Sequence, residues 1–325
     1  MTEVKGTPAA CLVTGASGFI GSRLLRALAK SSIQCRALSR RPLADRNALV
    51  GDILDAPSMV EACNGVETVF HCAGYAHAFK SLSGADADMH WTVNFEGARN
   101  LVNAAGRAGV KRFVFLSSVK AMAEPGASCV DESFSGEPDS DYGRSKLAAE
   151  GVVAAAGKEY GMHVVNLRLA MVYGRGGKGN LERMGRMVAR GWFPPLPETH
   201  NHRSLVHVDD VVSAMQHVAL DPRANGHNYI VASRDAPSGR ELYDALRAAQ
   251  HMKACTWAIP EWGLRMAAQL GDGLGRLSGR RMPFDSEVLD RLLESAWYSP
   301  ARIEQELGWE ARVPLKDGLC EMLGQ

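Results

Sequence analysis

Tyr142 and Lys146, in the segment DYGRSKLAAE, are the first pair in this sequence whose types and spacing point to chemistry. In a helix of about 3.6 residues per turn, positions four apart share a face, so the phenol and the ammonium sit side by side. A phenol with an ordinary pKa near ~10 is a poor base at neutral pH, and an adjacent cation moves it toward the working range. A second signal lies near the start. In GASGFIGS, Gly15, Gly18 and Gly21 fall between a predicted strand and a predicted helix. There glycine lets the backbone turn tightly and approach a pyrophosphate, which the free N–H groups of the helix start at Phe19 and Ile20 would meet.

The elements that must position these residues follow from hydrophobic periodicity. Short apolar runs (ACLVTG, QCRALS, VETVFHCAG, KRFVFLSS, MHVVNLRLA) alternate with helical patterns (FIGSRLLRALAKS, FEGARNLVNAAGRAG, SKLAAEGVVAAAGKEYG). That alternation predicts βαβ units and an α/β, doubly wound parallel sheet. After about residue 172 the rhythm breaks into GRGGKGN and GWFPPLPE, then returns to a helix at VDDVVSAMQHVAL and a strand at HNYIVA. The expected division is a dinucleotide-binding domain of residues 1–172 and about 205–235, with a smaller, mostly helical substrate domain of 173–204 and 236–325.

Composition narrows the function. A 325-residue chain with 46% hydrophobic and 22% charged residues can bury a sizeable core, and a net charge of +1 without a long basic run gives no footprint for nucleic acid or a membrane anchor. No apolar stretch has signal-peptide or membrane-spanning length, so a cytoplasmic protein acting on small molecules is expected. WGLRMAAQLGDGLGRL is read as a packed helix in preference to a membrane-surface one. The seven Cys show no C-x-x-C pair and are taken as buried small hydrophobes, with no disulfide framework and no metal site. His200, His202 and His207 lack companions at ligand spacing; Asp209 is read as the N-cap of the helix that follows it.

Taken together, GASGFIG, GDILD at 51–55, HCAG at 71–74, Asn94 in TVNFEGARN, LSS at 116–118 and YGRSK at 142–146 resemble the extended short-chain dehydrogenase/reductase family over nearly the full length. The resemblance implies a Rossmann fold and NAD(P)-dependent catalysis. Tyr142 would be the acid/base at a carbinol or carbonyl oxygen, and Lys146 would tune it and hold the nicotinamide ribose. Ser118 would orient the same oxygen, with Ser117 as the alternative because a strand alternates its faces. Asp52 and Ile53 look like the family's adenine-contacting pair. Ala73 and Gly74 of HCAG belong to the cofactor set, and Asn94 matches the central Asn that holds a neighbouring backbone. His71 is read as a core residue. At the end of the second strand, Ser39, Arg40 and Arg41 stand where an NAD site usually has an acid, which favours NADP(H) over NAD(H).

GKGNLERM and NHRSLVHVDD resemble the nucleotide-sugar branch, placing Asn180, Leu181 and Arg203 on the base and diphosphate of a UDP-type sugar. The expected reaction is hydride transfer at a hexose carbon, C-4 by preference, as 4-ketoreductase or 4-epimerase, in making sugars for surface polysaccharide. The dehydratases of the family carry an Asp-Glu pair after the Ser/Thr; Val119 and Lys120 stand there instead, with Lys120 read as a solvated loop residue. Leu169 replaces a customary Pro. A hydroxysteroid or small-ketone dehydrogenase is the alternative enzyme, suggested by IPEWGLRMAAQLGDGL; a dinucleotide-sensing regulator would ordinarily lack the Tyr and Lys. A homodimer through helices near 94–107 and 142–158 is common for the family.

Overall fold

The computed structural model describes residues 11–43, 48–76, 85–177, 179–278 and 285–324. Its centre is a seven-stranded, wholly parallel sheet: β1 (Cys11–Thr14), β2 (Cys35–Ser39), β3 (Ala48–Val50), β4 (Thr68–His71), β5 (Arg112–Ser118), β6 (His163–Leu169) and β9 (Asn228–Val231), in spatial order β3-β2-β1-β4-β5-β6-β9. The strands are apolar on both faces because helices cover both sides, as a parallel sheet requires. The fold is the Rossmann-like doubly wound sheet expected, with a helical C-terminal part.

Helices α2 (Ala56–Cys63), α4 (Gly97–Arg107) and α5 (Asp141–Tyr160) build one core with the sheet. On the opposite face lie α1 (Phe19–Lys30) and α7 (Val208–Leu220), joined by Tyr298, Trp309 and the helix α11 (Ala301–Leu307). The C-terminal elements from Tyr298 to Trp309 thus pack on the sheet. A third core gathers Leu181, Met184, Leu242, Leu246, Leu264 and Leu319 from α6 (Asn180–Ala189), α8 (Gly239–Ala249), α9 (Glu261–Ser278) and α12 (Leu315–Leu323). A short parallel pair, β7 (Met171–Tyr173) with β8 (Leu205–His207), runs between the sheet and this core.

Two sequence expectations need correction. Cys11 and Cys35 are register partners in adjacent strands and form a disulfide, although both are buried as expected. A separation of 24 residues carries no motif; the parallel register brings them together. The N-cap of α7 is His207, whose ring accepts from the Asp209 N–H at 3.3 Å, while Asp209 sits in the first turn and pairs with Arg23. A carboxylate in the first turn also suits the helix dipole, so the acid is still structural.

Candidate active site

Every candidate catalytic or cofactor residue from the sheet lies at the C-terminal ends of its strands, where an open parallel sheet binds ligands. The strand order reverses around β1, whose neighbours are β2 and β4. Beyond β1, Gly15 has φ +63°, and a Cβ there would come within 2.7 Å of the Ala73 nitrogen. A Cβ on Gly21 would run into the Gly15 carbonyl. The loop is therefore close-packed on the segment after β4 and open to a ligand backbone. Helix α1 begins after Gly18 without a side-chain cap and with no acid in its first turn. The N–H groups at Phe19 and Ile20 are left for an anion.

The flanks of this cradle are fixed by hydrogen bonds. Thr14 Oγ1 meets His71 Nδ1 at 2.7 Å and accepts from the Ala73 N–H at 3.2 Å. Burial drives the His71 pKa down to about 3, so the ring is neutral, a core residue as read from the sequence. Ser39 is buried at the end of β2 and accepts from the Arg41 N–H at 3.3 Å, leaving Arg40 and Arg41 exposed beside it. Asp52 caps a turn by accepting from the Leu54 N–H at 3.0 Å, and Ile53 is buried against Gly97.

Tyr142 reaches the site because α5 starts close to the turn that follows β5. Ser140 caps the helix, accepting from the Gly143 N–H at 3.0 Å. A side chain at Gly143 would collide with the Lys120 carbonyl. That contact brings the Tyr142 phenol beside Ser118. Strand alternation decides between the two serines geometrically: Ser117 faces away and donates to Glu150 Oε1 at 2.6 Å. The edge of His90 lies 5.5 Å from the Tyr142 ring.

Lys146 is buried one turn along α5. Its Nζ donates to the Leu116 carbonyl at 2.8 Å and lies 4.7 Å over the Phe115 ring. Burial pulls its pKa down to about 8, with the Glu150 carboxylate opposing. The phenol differs from the sequence expectation. Burial raises the Tyr142 pKa above its ordinary value, and the group pulling it back is Ser118. Lys146 itself is held on the Leu116 carbonyl and the Phe115 ring face.

Asn94 completes this corner from a turn of π-helix, Trp91–Glu96. Its Oδ1 accepts from the Tyr75 N–H at 2.7 Å; its Nδ2 donates to the Tyr75 carbonyl at 3.0 Å and to Ser145 Oγ at 3.1 Å. A Cβ on Gly74 would stand 3.3 Å from both Asn94 Oδ1 and Lys146 Nζ. A side chain there would crowd both polar groups, so glycine leaves them uncovered, and with the uncapped start of α1 the residues present fit a dinucleotide.

A cavity of about 420 Å³ opens in the C-terminal part. Asn180, Leu181 and Arg203 line it, together with Arg183 and Arg291, which the sequence reading missed, and with Trp192 and Phe193. Arg203 donates to the Glu294 carbonyl at 3.2 Å. None of Ser118, Tyr142 and Lys146 lines the cavity. Arg291 sits on α10 (Ser286–Leu293), whose sequence reads only as an amphipathic helix. Among the described residues no group of three or more His, Cys, Asp or Glu is placed to hold a metal ion.

A parallel Rossmann sheet, a glycine cradle at its switch point and a Ser–Tyr–Lys set on β5 and α5 define an extended short-chain dehydrogenase/reductase, an enzyme that works through a nicotinamide dinucleotide. The pattern of the NAD dependent epimerase/dehydratase family matches residues 11–232, and the chain belongs to that family. It is 30% identical to the UDP-glucose 4-epimerase of Vibrio cholerae, over 98% of this chain and 95% of that protein. It is 26% identical to the 3-beta-hydroxysteroid dehydrogenase of Mycolicibacterium neoaurum, over 96% and 90%. The solved structure of MoeE5 in complex with UDP-glucose and NAD superposes with a TM-score of 0.76 at 26% identity, covering 97% of each chain.

Proposed function

We propose that this enzyme transfers a hydride at a hexose carbon, C-4 by preference, of a nucleoside-diphosphate sugar, as a 4-ketoreductase or a 4-epimerase supplying sugars for surface polysaccharide. The observation that carries the reading is a cavity lined by Arg183, Arg203 and Arg291 in a chain that also brings Ser118, Tyr142 and Lys146 together on β5 and α5. Guanidinium groups suit bidentate contact with a diphosphate, and the Trp192 and Phe193 rings suit a planar base. Of the relatives named above, the Vibrio cholerae protein is a UDP-glucose 4-epimerase and MoeE5 is solved with UDP-glucose, which makes UDP the expected nucleotide.

The bound nicotinamide supplies the hydride chemistry, and the chain's own residues handle the proton and the geometry. Tyr142 Oη gives a proton to the sugar oxygen, or takes one from it, while Ser118 Oγ holds that oxygen in place. The buried phenol is in its protonated form at neutral pH, the form that donates in the reductive direction. Lys146 and Asn94 converge beside Gly74, where they would position the ribose side. Ser39 with Arg40 and Arg41 supports NADP(H) over NAD(H), because a small residue and guanidinium groups accommodate a 2′-phosphate. A homodimer through α4 and α5 is part of the same reading; those helices pack together, with Trp91 and Leu147 exposed nearby.

The test is incubation of the purified enzyme with UDP- and dTDP-sugars, including 4-keto-6-deoxy forms, while following absorbance of the reduced cofactor. Stoichiometric loss of NADPH with a 4-keto sugar establishes a reductase; interconversion of epimers without net cofactor change establishes an epimerase. Turnover of a 3-hydroxysteroid with no response to any nucleotide sugar would replace the reading by the alternative, which the cavity's apolar walls and the Mycolicibacterium relative favour.

A further inference from the structure

Helix α9 carries two apolar faces where a surface helix needs one. Leu264 and Ala268 are buried in the third core, and Leu264 and Ala267 line the cavity. On the other side, Trp262 is 68% exposed, Met266 57%, Leu270 68% and Leu274 54%. At about 100° per residue these four positions, each four apart, form a ridge sweeping roughly 120° of the helix surface. The charged residues Glu261, Arg265 and Asp272 all fall outside that arc, on its flank. Burying one apolar stripe accounts for a packed helix; the second stripe is left in contact with water.

Trp257 just before the helix and Trp192 across the cavity mouth are also largely exposed. Arg190 stacks on the Trp192 ring at 5.4 Å, and Arg190 and Lys253 both face solvent. Projecting Trp residues, a continuous aliphatic ridge and cations at the rim are the features of a helix lying in a membrane interface. The indole sits at headgroup level, the aliphatic chains enter the acyl boundary, and the cations meet anionic lipid.

We propose that the α9 ridge docks this enzyme on an anionic bilayer, with the mouth of the cavity beside the lipid surface. The sequence expectation of no membrane partner rested on the lack of a spanning segment and of a basic run, and on reading this helix as packed in preference to membrane-surface; none of the described helices is long and apolar enough to cross a membrane. A ridge that lies in the interface is a different feature. The proposal stands on α9 and its surroundings and does not depend on the identity of the sugar.

The experiment is co-sedimentation of the full chain with vesicles of phosphatidylcholine alone or mixed with phosphatidylglycerol. The wild type is expected to partition onto the mixed vesicles, with a blue shift of tryptophan emission. The Met266→Ser, Leu270→Ser, Leu274→Ser triple variant should bind at least about tenfold more weakly. Arg190→Gln with Lys253→Gln should lose roughly fivefold per charge on mixed vesicles only. Turnover on a soluble substrate should be unchanged in the triple variant, which checks that it is folded. Wild-type protein that stays in the supernatant with both vesicle types, without an emission shift, overturns the proposal whatever the variants do. A wild-type dimer that the triple variant converts to monomer overturns it too, because the ridge is then covered by a second copy. Loss of vesicle binding without loss of nucleotide-sugar turnover separates this proposal from the reading of the substrate.

Discussion

Beneath the catalytic set, Glu150 lies one turn beyond Lys146 and is almost fully buried. Its Oε1 accepts from Ser117 at 2.6 Å and from Arg168 Nε at 3.0 Å; its Oε2 accepts from Arg168 Nη2 at 2.7 Å and Asn228 Nδ2 at 3.3 Å. Glu150→Gln keeps the shape and removes the charge. The Arg168 guanidinium, also buried, is then left without its counter-ion, which costs about 3–5 kcal/mol for a buried pair broken from one side. That is a large part of the roughly 5–15 kcal/mol that holds a typical domain, so the variant should fold but unfold at a clearly lower urea midpoint. A second effect is electrostatic. Burial lowers the Lys146 pKa to about 8 against the pull of Glu150, so removing the carboxylate lets it fall further.

The sign follows from the direction of that shift. A lysine whose folded pKa lies below its ordinary value costs stability while charged, fully so below the folded pKa, and the cost fades as pH rises toward the unfolded value. Function runs the other way: contacts that need the ammonium persist on the acid side and are lost as pH climbs through about 8. In Glu150→Gln the alkaline fall of kcat/KM should move to lower pH. The double variant Glu150→Gln with Arg168→Met, which removes both charges, should recover most of the stability but keep the shifted profile. A urea midpoint within about 1 kcal/mol of wild type, with an unmoved alkaline limb, would refute the reasoning.

Three further outcomes are expected. Tyr142→Phe should lower turnover at least on the order of a hundredfold with cofactor affinity nearly intact, and Ser118→Ala should cost less, about 1.5–3 kcal/mol in kcat/KM, both read by steady-state kinetics. Arg203→Ala should raise the KM for a nucleotide sugar and weaken UDP binding by calorimetry without changing cofactor affinity; equal UDP binding would remove the diphosphate role. NADPH should bind more tightly than NADH by about 1.5–3 kcal/mol, and Ser39→Asp should reverse the preference in fluorescence titrations.

What could be read from the sequence depended on whether the information was local. The strands and the helices that cover them were legible because parallel strands buried on both faces are continuous apolar runs, and the cradle was legible because Gly15 and Gly21 are confined by contacts a few residues away and across one strand. Tyr142 and Lys146 were legible as a pair for the same reason, four positions apart on one helix. The direction of the phenol's pKa was not, since it depends on burial and on Ser118, which lies 24 residues earlier in the chain. Arg291 and the Cys11–Cys35 link are products of packing between distant segments, and nothing in the local pattern marks either.

The α9 segment shows where periodicity reaches its limit. Reading WGLRMAAQLGDGLGRL as a packed helix was sound, because Leu264, Ala268 and their neighbours do form a buried stripe. With Leu, Ala and Gly on both sides, however, a single period cannot tell a helix with one covered face from a helix with a second apolar face exposed. Only the third core, by claiming one stripe, identifies the other as surplus. The same comparison holds for the candidate active site: the residues proposed to touch the reacting oxygen sit on β5 and α5 with local signatures, while those proposed to select the substrate sit on α6, α10 and the loop at Arg203, held together only by the fold. Chemistry in this chain is therefore more legible than specificity, because the proton-transfer group is built within one helix turn of a cap and the cavity is assembled from segments more than a hundred residues apart.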